Sequence, residues 1–212
     1  TIKKDVAERL GLSADVKIVA GAGDNAAGAV GTGTTKDGMC IVSLGTSGTV
    51  FISSKSFGVD NNNALHAFAH ADGGYHLMGC MLSAAYCNKW LMDEIFQTKD
   101  YAAEQVPITD DKLGENHTYF LPYLMGERSP INDTNARGAF IGMTMDTSRA
   151  DLVQAVLEGV AFAIRDSVEV ARSLGITIEA SRICGGGAKS PLLKKIMANV
   201  LGAKLECPVS EQ

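Results

Sequence analysis

The chain has 212 residues, 46% of them apolar and 20% charged, an ordinary balance for a soluble globular protein and a length suited to one sizeable α/β domain, or one and a half. Its 19 basic and 24 acidic residues leave a net charge of −5, which, with no basic cluster, argues against nucleic acid as the main partner but not against a phosphorylated ligand held by backbone amides. No run of 18 apolar residues offers a membrane span, and no basic stretch ahead of an apolar one marks a signal peptide.

In chain order, residues 1–12 read as a short amphipathic helix with Val6 and Leu10 on one face and Gly11 as its stop. Ile18, Val19 and Ala20 read as a short strand that breaks at Gly21 and Gly23 and restarts as a helix through Ala26 to Val30. Residues 38–54 carry the strongest strand signal, two apolar runs about the turn Gly45-Thr46-Ser47-Gly48, and predict a hairpin. Two short strands, 66–70 and 75–80, flank a turn at Asp72-Gly73-Gly74. Leu82, Tyr86, Trp90 and Ile95 stand at helical spacing and predict a helix over 82–96, with Trp90 and Tyr86 in the core unless they face a partner subunit. A weaker helix is expected at 100–105, and a strand at 119–121 leads into a loop over 122–136. Ser148 with Asp151 forms a capping-box start for a long helix to Ser173, striped by Leu152, Val156, Val160, Ile164, Val168 and Ala171. A strand at 182–184 opens into Gly185-Gly186-Gly187-Ala188-Lys189-Ser190, followed by a helix over 191–201 with Pro191 in its first turn and a last strand at 203–207.

Three glycine-rich turns thus follow apolar strands. A strand that breaks at glycines and resumes as a helix sets the intervening side chains at the strand's carboxyl end, where open α/β sheets bind ligands. Asp24 is there a candidate general base and Asn25 a candidate substrate contact; Asp24 is equally suited to capping a helix begun at Asn25. Gly45 to Gly48 suit a plain hairpin turn, yet their N–H and hydroxyl groups also suit phosphate oxygens. Residues 185–187 lie at a strand-to-helix junction that favours an anion or a close-packed nucleotide. None is a Walker A loop. Together with the isolated acid they suggest nucleotide-dependent phosphoryl transfer.

The run from Gly21 through Asp24-Asn25 to Gly31 resembles the catalytic segment of the FGGY carbohydrate kinases. Ser43-Leu44-Gly45-Thr46-Ser47-Gly48-Thr49 is similar to that family's second phosphate motif, and Phe120-Leu121-Pro122-Tyr123-Leu124-Met125-Gly126-Glu127-Arg128-Ser129-Pro130 to its cleft loop. Gly138-Ala139-Phe140-Ile141-Gly142-Met143 with Leu157-Glu158-Gly159 resembles its C-terminal signature, and Gly185 to Ser190 with Ala198-Asn199-Val200-Leu201-Gly202 its adenosine motif. The matches are in order and span essentially the whole chain. The resemblance implies an actin-like, ribonuclease-H-like ATPase fold, a mixed α/β sheet flanked by helices, in which sugar and ATP meet in a cleft between two lobes. It implies Asp24 as the base that deprotonates the sugar hydroxyl, with Asn25 touching the sugar. Gly45 and Thr46 would hold the γ-phosphate region, Gly126 would lie beside the nucleotide, and Gly187 and Ala188 would pack on the adenosine. ATP and Mg²⁺ are the implied cofactors, and the ketopentose D-xylulose the implied substrate, with another polyol or sugar acid, or a non-catalytic sensor, as the alternatives.

The family's N-terminal lobe has no counterpart in residues 1–212. The chain begins at Thr1 and ends soon after a strand-like run, so an excised C-terminal lobe, cut before its last helix, inactive alone and binding ATP weakly if at all, is expected. The five cysteines, Cys40, Cys80, Cys87, Cys184 and Cys207, fit no zinc spacing and are expected to be reduced, buried thiols of a cytoplasmic protein. His66, His70 and His76 read as core or surface residues rather than ligands, and His117 as a solvated loop residue. Glu127 and Arg128 read as an ion pair at the cleft edge, Lys189 as either a phosphate contact or a solvated lysine. A homodimer is left open.

Overall fold

The structure, a computed structural model, describes residues 1–208; the expectations for residues beyond 208 lie outside it. Among the described residues, eight strands in two sheets and six α-helices follow in the order α1 (Lys4–Leu10), α2 (Asp24–Gly31), β1 (Cys40–Leu44), β2 (Gly48–Ser54), β3 (His66–Ala69), β4 (Tyr75–Met81), α3 (Ala85–Trp90), α4 (Tyr101–Gln105), β5 (Tyr119–Leu121), β6 (Ala139–Ile141), α5 (Arg149–Ser173), β7 (Ala180–Cys184), α6 (Pro191–Leu201) and β8 (Lys204–Glu206). Six strands make a mixed sheet ordered β3-β4-β2-β1-β7-β8, while β5 and β6 pair apart. β1, β2, β4 and β3 form an antiparallel meander; β7 joins β1 in parallel and β8 joins β7 in parallel.

The period-2 alternation of a strand sends neighbouring residues to opposite faces, and here both faces are covered. Cys40, Val42, Leu44, Val50 and Ile52 meet α5 and α6 in the main core. Ile41 and Phe51 meet Ala29 of α2 on the other face. The 25-residue α5 starts at the expected capping box, in which Ser148 accepts from the Asp151 N–H and Asp151 accepts in return. Val156, Val160, Ile164, Val168 and Ala171 of its stripe are buried. Gly159 lets this helix press on β5: a Cβ there would stand 2.2 Å from the Phe120 carbonyl oxygen. Glu158 is absorbed structurally, accepting from Gln154 at 2.7 Å and from the Gly114 N–H at 3.2 Å.

Several expectations are corrected. Residues 18–20 form no strand; Ile18 and Val19 are exposed and no neighbouring strand pairs with them. An apolar triplet without a ladder partner has nothing to hold it extended. The helix over 82–96 is two pieces: Leu82 and Ala84 spend their N–H groups on Glu127 and Thr46, so α3 begins only at Ala85. It then widens into a π-helix over Leu91–Phe96, which brings successive side chains closer in azimuth and lets Leu91 and Met92 both be fully buried. Tyr86 is exposed rather than core. In α1 it is Ala7 that is buried, while Leu10 faces out. β6 adds a strand that the sequence does not show, because Ala139-Phe140-Ile141 between two glycines offers too few residues for a period.

Candidate active site

β1 and β7 run parallel with Ser43 opposite Cys184, so the turns that leave their carboxyl ends emerge side by side. From β1 comes Gly45-Thr46-Ser47, from β7 the 3₁₀ turn Gly186–Lys189 that leads into α6. The two turns touch. Gly185 has φ +88°, and a Cβ there would lie 2.6 Å from the Leu44 carbonyl oxygen; one on Gly187 would lie 2.8 Å from Leu44 Cβ and 3.4 Å from Ala85 Cβ. Gly186 has open space instead. Close packing therefore requires Gly185 and Gly187, while Gly186 leaves room beside them.

The Gly45 carbonyl accepts from the Ala85 N–H at 3.0 Å and the Thr46 carbonyl from Ala84 at 2.8 Å, which ties the first turn to the start of α3. The Gly45 N–H is spent on the Ser47 carbonyl, 2.9 Å away. The unspent donors lie on the next two residues: Thr46 and Ser47 are exposed, and their N–H groups have no partner among the described residues. Of the two residues expected to hold the γ-phosphate region, Thr46 keeps a free N–H and Gly45 does not.

Beside the joined turns opens a cavity of about 350 Å³, walled by Gly186, Gly187 and Ser190, by Ala85 and Asn88 of α3, by Tyr101 and Gln105 of α4, and by Val156, Leu157 and Val160 of α5. Its lining is mostly apolar with a few polar groups, the usual make-up of a small-molecule site. Ser190 caps α6, accepting from the Leu193 N–H at 3.1 Å, and donates to Gln105 at 2.9 Å. Lys189 also lines the cavity and is exposed. Ala188 is not on its wall; it packs against the main core.

Asp24 and Asn25 stand on the other face of the sheet. Thr34, just past α2, meets Ser53 and His70, whereas Ala29 meets Ile41. Helix α2 thus runs against β1, and its first residues point toward the sheet end that carries Gly45 and Thr46. The capping alternative for Asp24 fails: α2 begins at Asp24, its N-cap is Gly23, and among the described residues the carboxylate accepts only from Asn25, through the N–H at 2.8 Å and Nδ2 at 3.3 Å. Asp24 is exposed, with Oδ2 free of protein donors among the described residues.

Gly126 is not part of the cavity wall. It is buried with φ +76°, and a Cβ there would lie 2.7 Å from the Thr134 carbonyl oxygen. The expected Glu127–Arg128 ion pair does not form. Glu127 is buried and its carboxylate accepts from the Leu82 N–H at 2.9 Å and the Arg128 N–H at 2.7 Å, which fastens the loop to the chain entering α3. Burial raises the Glu127 pKa, the two backbone N–H bonds and the Arg128 charge opposing it.

The cysteines are free thiols, though not uniformly buried: Cys80 and Cys184 are half-buried and Cys207 is exposed. Burial pushes the Cys40 thiol up to about 11 and Cys87 to about 12, which leaves neither a nucleophile. His70 and His76 are buried, while His66 and His117 are exposed. Among the described residues no three His, Cys, Asp or Glu side chains gather to hold a metal, and no helix is long and apolar enough to cross a membrane.

Four antiparallel strands extended by two parallel ones, helices on both faces and paired turns over a cavity define an actin-like, ribonuclease-H-like ATPase lobe. Residues 40–211 match the FGGY family of carbohydrate kinases, C-terminal domain, and the chain belongs to that family. It is 39% identical over 203 residues to a xylulose kinase of Escherichia coli, covering 95% of this chain and 42% of that protein. A xylulose kinase structure from Brucella ovis superposes with a TM-score of 0.87 at 38% identity, over 100% of this chain and 43% of its own. A gluconate kinase from Lactobacillus acidophilus superposes almost as well, at 0.86 and 26% identity over 100% of this chain and 43% of its own. The chain spans about two-fifths of the length of the relatives it matches. The family match begins at β1, so Asp24 and Asn25 precede it.

Proposed function

We propose that this chain is the nucleotide-binding, base-carrying lobe of an ATP-dependent carbohydrate kinase, and that its sugar is D-xylulose, phosphorylated on a hydroxyl. The observation that carries the reading is the meeting of residues 45–47 with residues 185–190 at one end of a parallel strand pair, beside a 350 Å³ cavity. The nucleoside would occupy the cavity against Gly187, with Ala188 behind it, and the terminal phosphates would reach the free N–H groups of Thr46 and Ser47. Phosphoryl transfer asks the protein chiefly for positioning and charge stabilisation. Asp24 would take the proton from the attacking hydroxyl through its free Oδ2, while Asn25 holds Oδ1 in place and faces the sugar. Mg²⁺, carried on the phosphate oxygens, would supply neutralisation of the developing charge. Gly126 would serve by shaping the loop that Glu127 anchors.

The sugar assignment leans on the xylulose kinases among the relatives. Gluconate kinase shares the same lobe shape, so a sugar acid or polyol is the second reading. A substrate panel of ketopentoses, polyols and sugar acids on the complete kinase carrying this lobe decides between them. The chain of residues 1–212 by itself is proposed to be inactive as a sugar kinase, and xylulose-dependent ATP turnover by it would refute that. Free thiols throughout favour a cytoplasmic setting.

A further inference from the structure

Asn88 sits on the cavity wall one helical turn beyond Ala85, the residue that faces Gly187. Its Oδ1 is buried with no hydrogen-bond partner, and its side-chain amide makes no bond to protein among the described residues. Buried polar atoms are normally paired, so an orphan on the wall of a binding cavity needs an explanation. The oxygen of the neighbouring Gln105 is engaged, accepting from Ser190 at 2.9 Å. Around Asn88 the wall is aliphatic and aromatic, with Val156, Leu157 and the Tyr101 ring, suited to the flat face of a heterocycle. An unspent amide in such a setting carries one acceptor and two donors side by side.

We propose that Asn88 is the base-selecting residue of the nucleotide cavity, its amide oxygen accepting from the 6-amino group of adenine and its NH₂ donating to N7. The inference rests on the nucleotide reading above and adds to it the residue that reads the base. Asparagine pairs with that adenine edge in two-point fashion. A 6-oxo purine presents two acceptors along the same edge and leaves the amide oxygen facing a carbonyl. The terminal torsion of asparagine is broad, so the amide plane can turn at small cost to present both its oxygen and its NH₂ to the cavity.

The test compares ADP with IDP, which differ at position 6, by titration calorimetry on the complete kinase that carries this lobe. Wild type is expected to favour ADP by on the order of 10- to 100-fold, the discrimination of one two-point pair. Asn88→Leu, close in volume and unable to hydrogen-bond, is expected to bring that ratio within about threefold while melting no lower than wild type, because an unpaired buried amide is replaced by an apolar group. Asn88→Asp is expected to weaken ADP through repulsion between the carboxylate and N7. If wild type binds neither nucleotide, the nucleotide reading itself falls. If ADP binds and the ADP-to-IDP ratio is the same in wild type and Asn88→Leu, the cavity is a nucleotide site and the assignment of Asn88 is overturned.

Discussion

The N–H of Ala85 donates to the carbonyl of Gly45 at 3.0 Å, and the Cβ of the same alanine lies 3.4 Å from where a Cβ on Gly187 would stand. One residue at the start of α3 thus fixes the turn after β1 and limits the turn after β7. The spacing of the two turns is set by packing against this helix rather than by either loop alone.

Substitutions at adjacent glycines should separate in consequence. Gly187→Ala drives a methyl to 2.8 Å from Leu44 Cβ, deep in the sheet, and is expected to cost about 1–3 kcal/mol in urea denaturation. Gly186→Ala meets nothing within 4 Å and has no left-handed backbone to strain, so its folding stability should stay within about 0.5 kcal/mol of wild type. Equal losses at both would mean that the two turns are not in contact as described.

Asp24→Asn keeps the shape of the side chain and the acceptor for the Asn25 N–H. In the complete kinase it is expected to lower kcat by about three decades, in the range of a positioned base, with an unchanged melting temperature. Activity equal to wild type would remove Asp24 from the reaction and leave it as a helix-start acid favourable to the dipole of α2.

The strands and long helices were legible because their periods repeat: the hairpin of β1 and β2, the β3–β4 turn, α5 with its capping box, and α6 with Pro191 at its start. The glycine turns were legible as turns, and the parallel pairing of β1 with β7 then explains why they belong to one site. What failed was non-local. Whether Ile18-Val19-Ala20 finds a ladder partner, whether Glu127 meets Arg128 or the Leu82 N–H, and where α3 begins all depend on chain 45 or so residues away or on its absence. Asn88 left no trace in the sequence, since a lone amide in an apolar helix becomes informative only when its bonds can be counted.

Glu127 is a buried acid that works as a backbone acceptor, so shape should matter more than charge. Glu127→Gln retains an oxygen for the Leu82 and Arg128 N–H groups and sheds a buried charge, at the price of a buried NH₂ where Oε2 has no partner. These effects oppose, and stability at pH 7.5 should move by no more than about 1 kcal/mol. Glu127→Ala leaves two N–H groups without an acceptor and should cost about 2–4 kcal/mol. Chemical denaturation of both variants checks the order; a Gln variant as damaged as the Ala variant would show that the charge itself holds the loop.

His76 sets a pH dependence that runs against that of Glu127. Its ring stacks on Phe51 with centroids 4.1 Å apart and tilts against Phe68 at 5.4 Å, and Nδ1 has no partner. Burial, helped by nearby His70 and opposed by Asp72, lowers its pKa from 6.5 to about 4. The unfolded chain therefore binds the proton first as pH falls. The stability held by the neutral ring is fully present above pH 6.5 and drains away down to about pH 4, about 3 kcal/mol in all. Glu127, with its folded pKa raised, has the opposite sign: the folded state takes its proton before the unfolded one, and stability is regained as pH drops toward the ordinary carboxylate range. His76→Phe preserves the aromatic stack and removes the titration, so its urea midpoint should fall less than that of wild type between pH 7.5 and 4.5. Glu127→Gln should fall more than wild type over the same span, and the double variant should lie between the two. Parallel midpoint curves for wild type and His76→Phe would mean that the acid sensitivity of the fold resides elsewhere than in the face that α2 shares with Phe51.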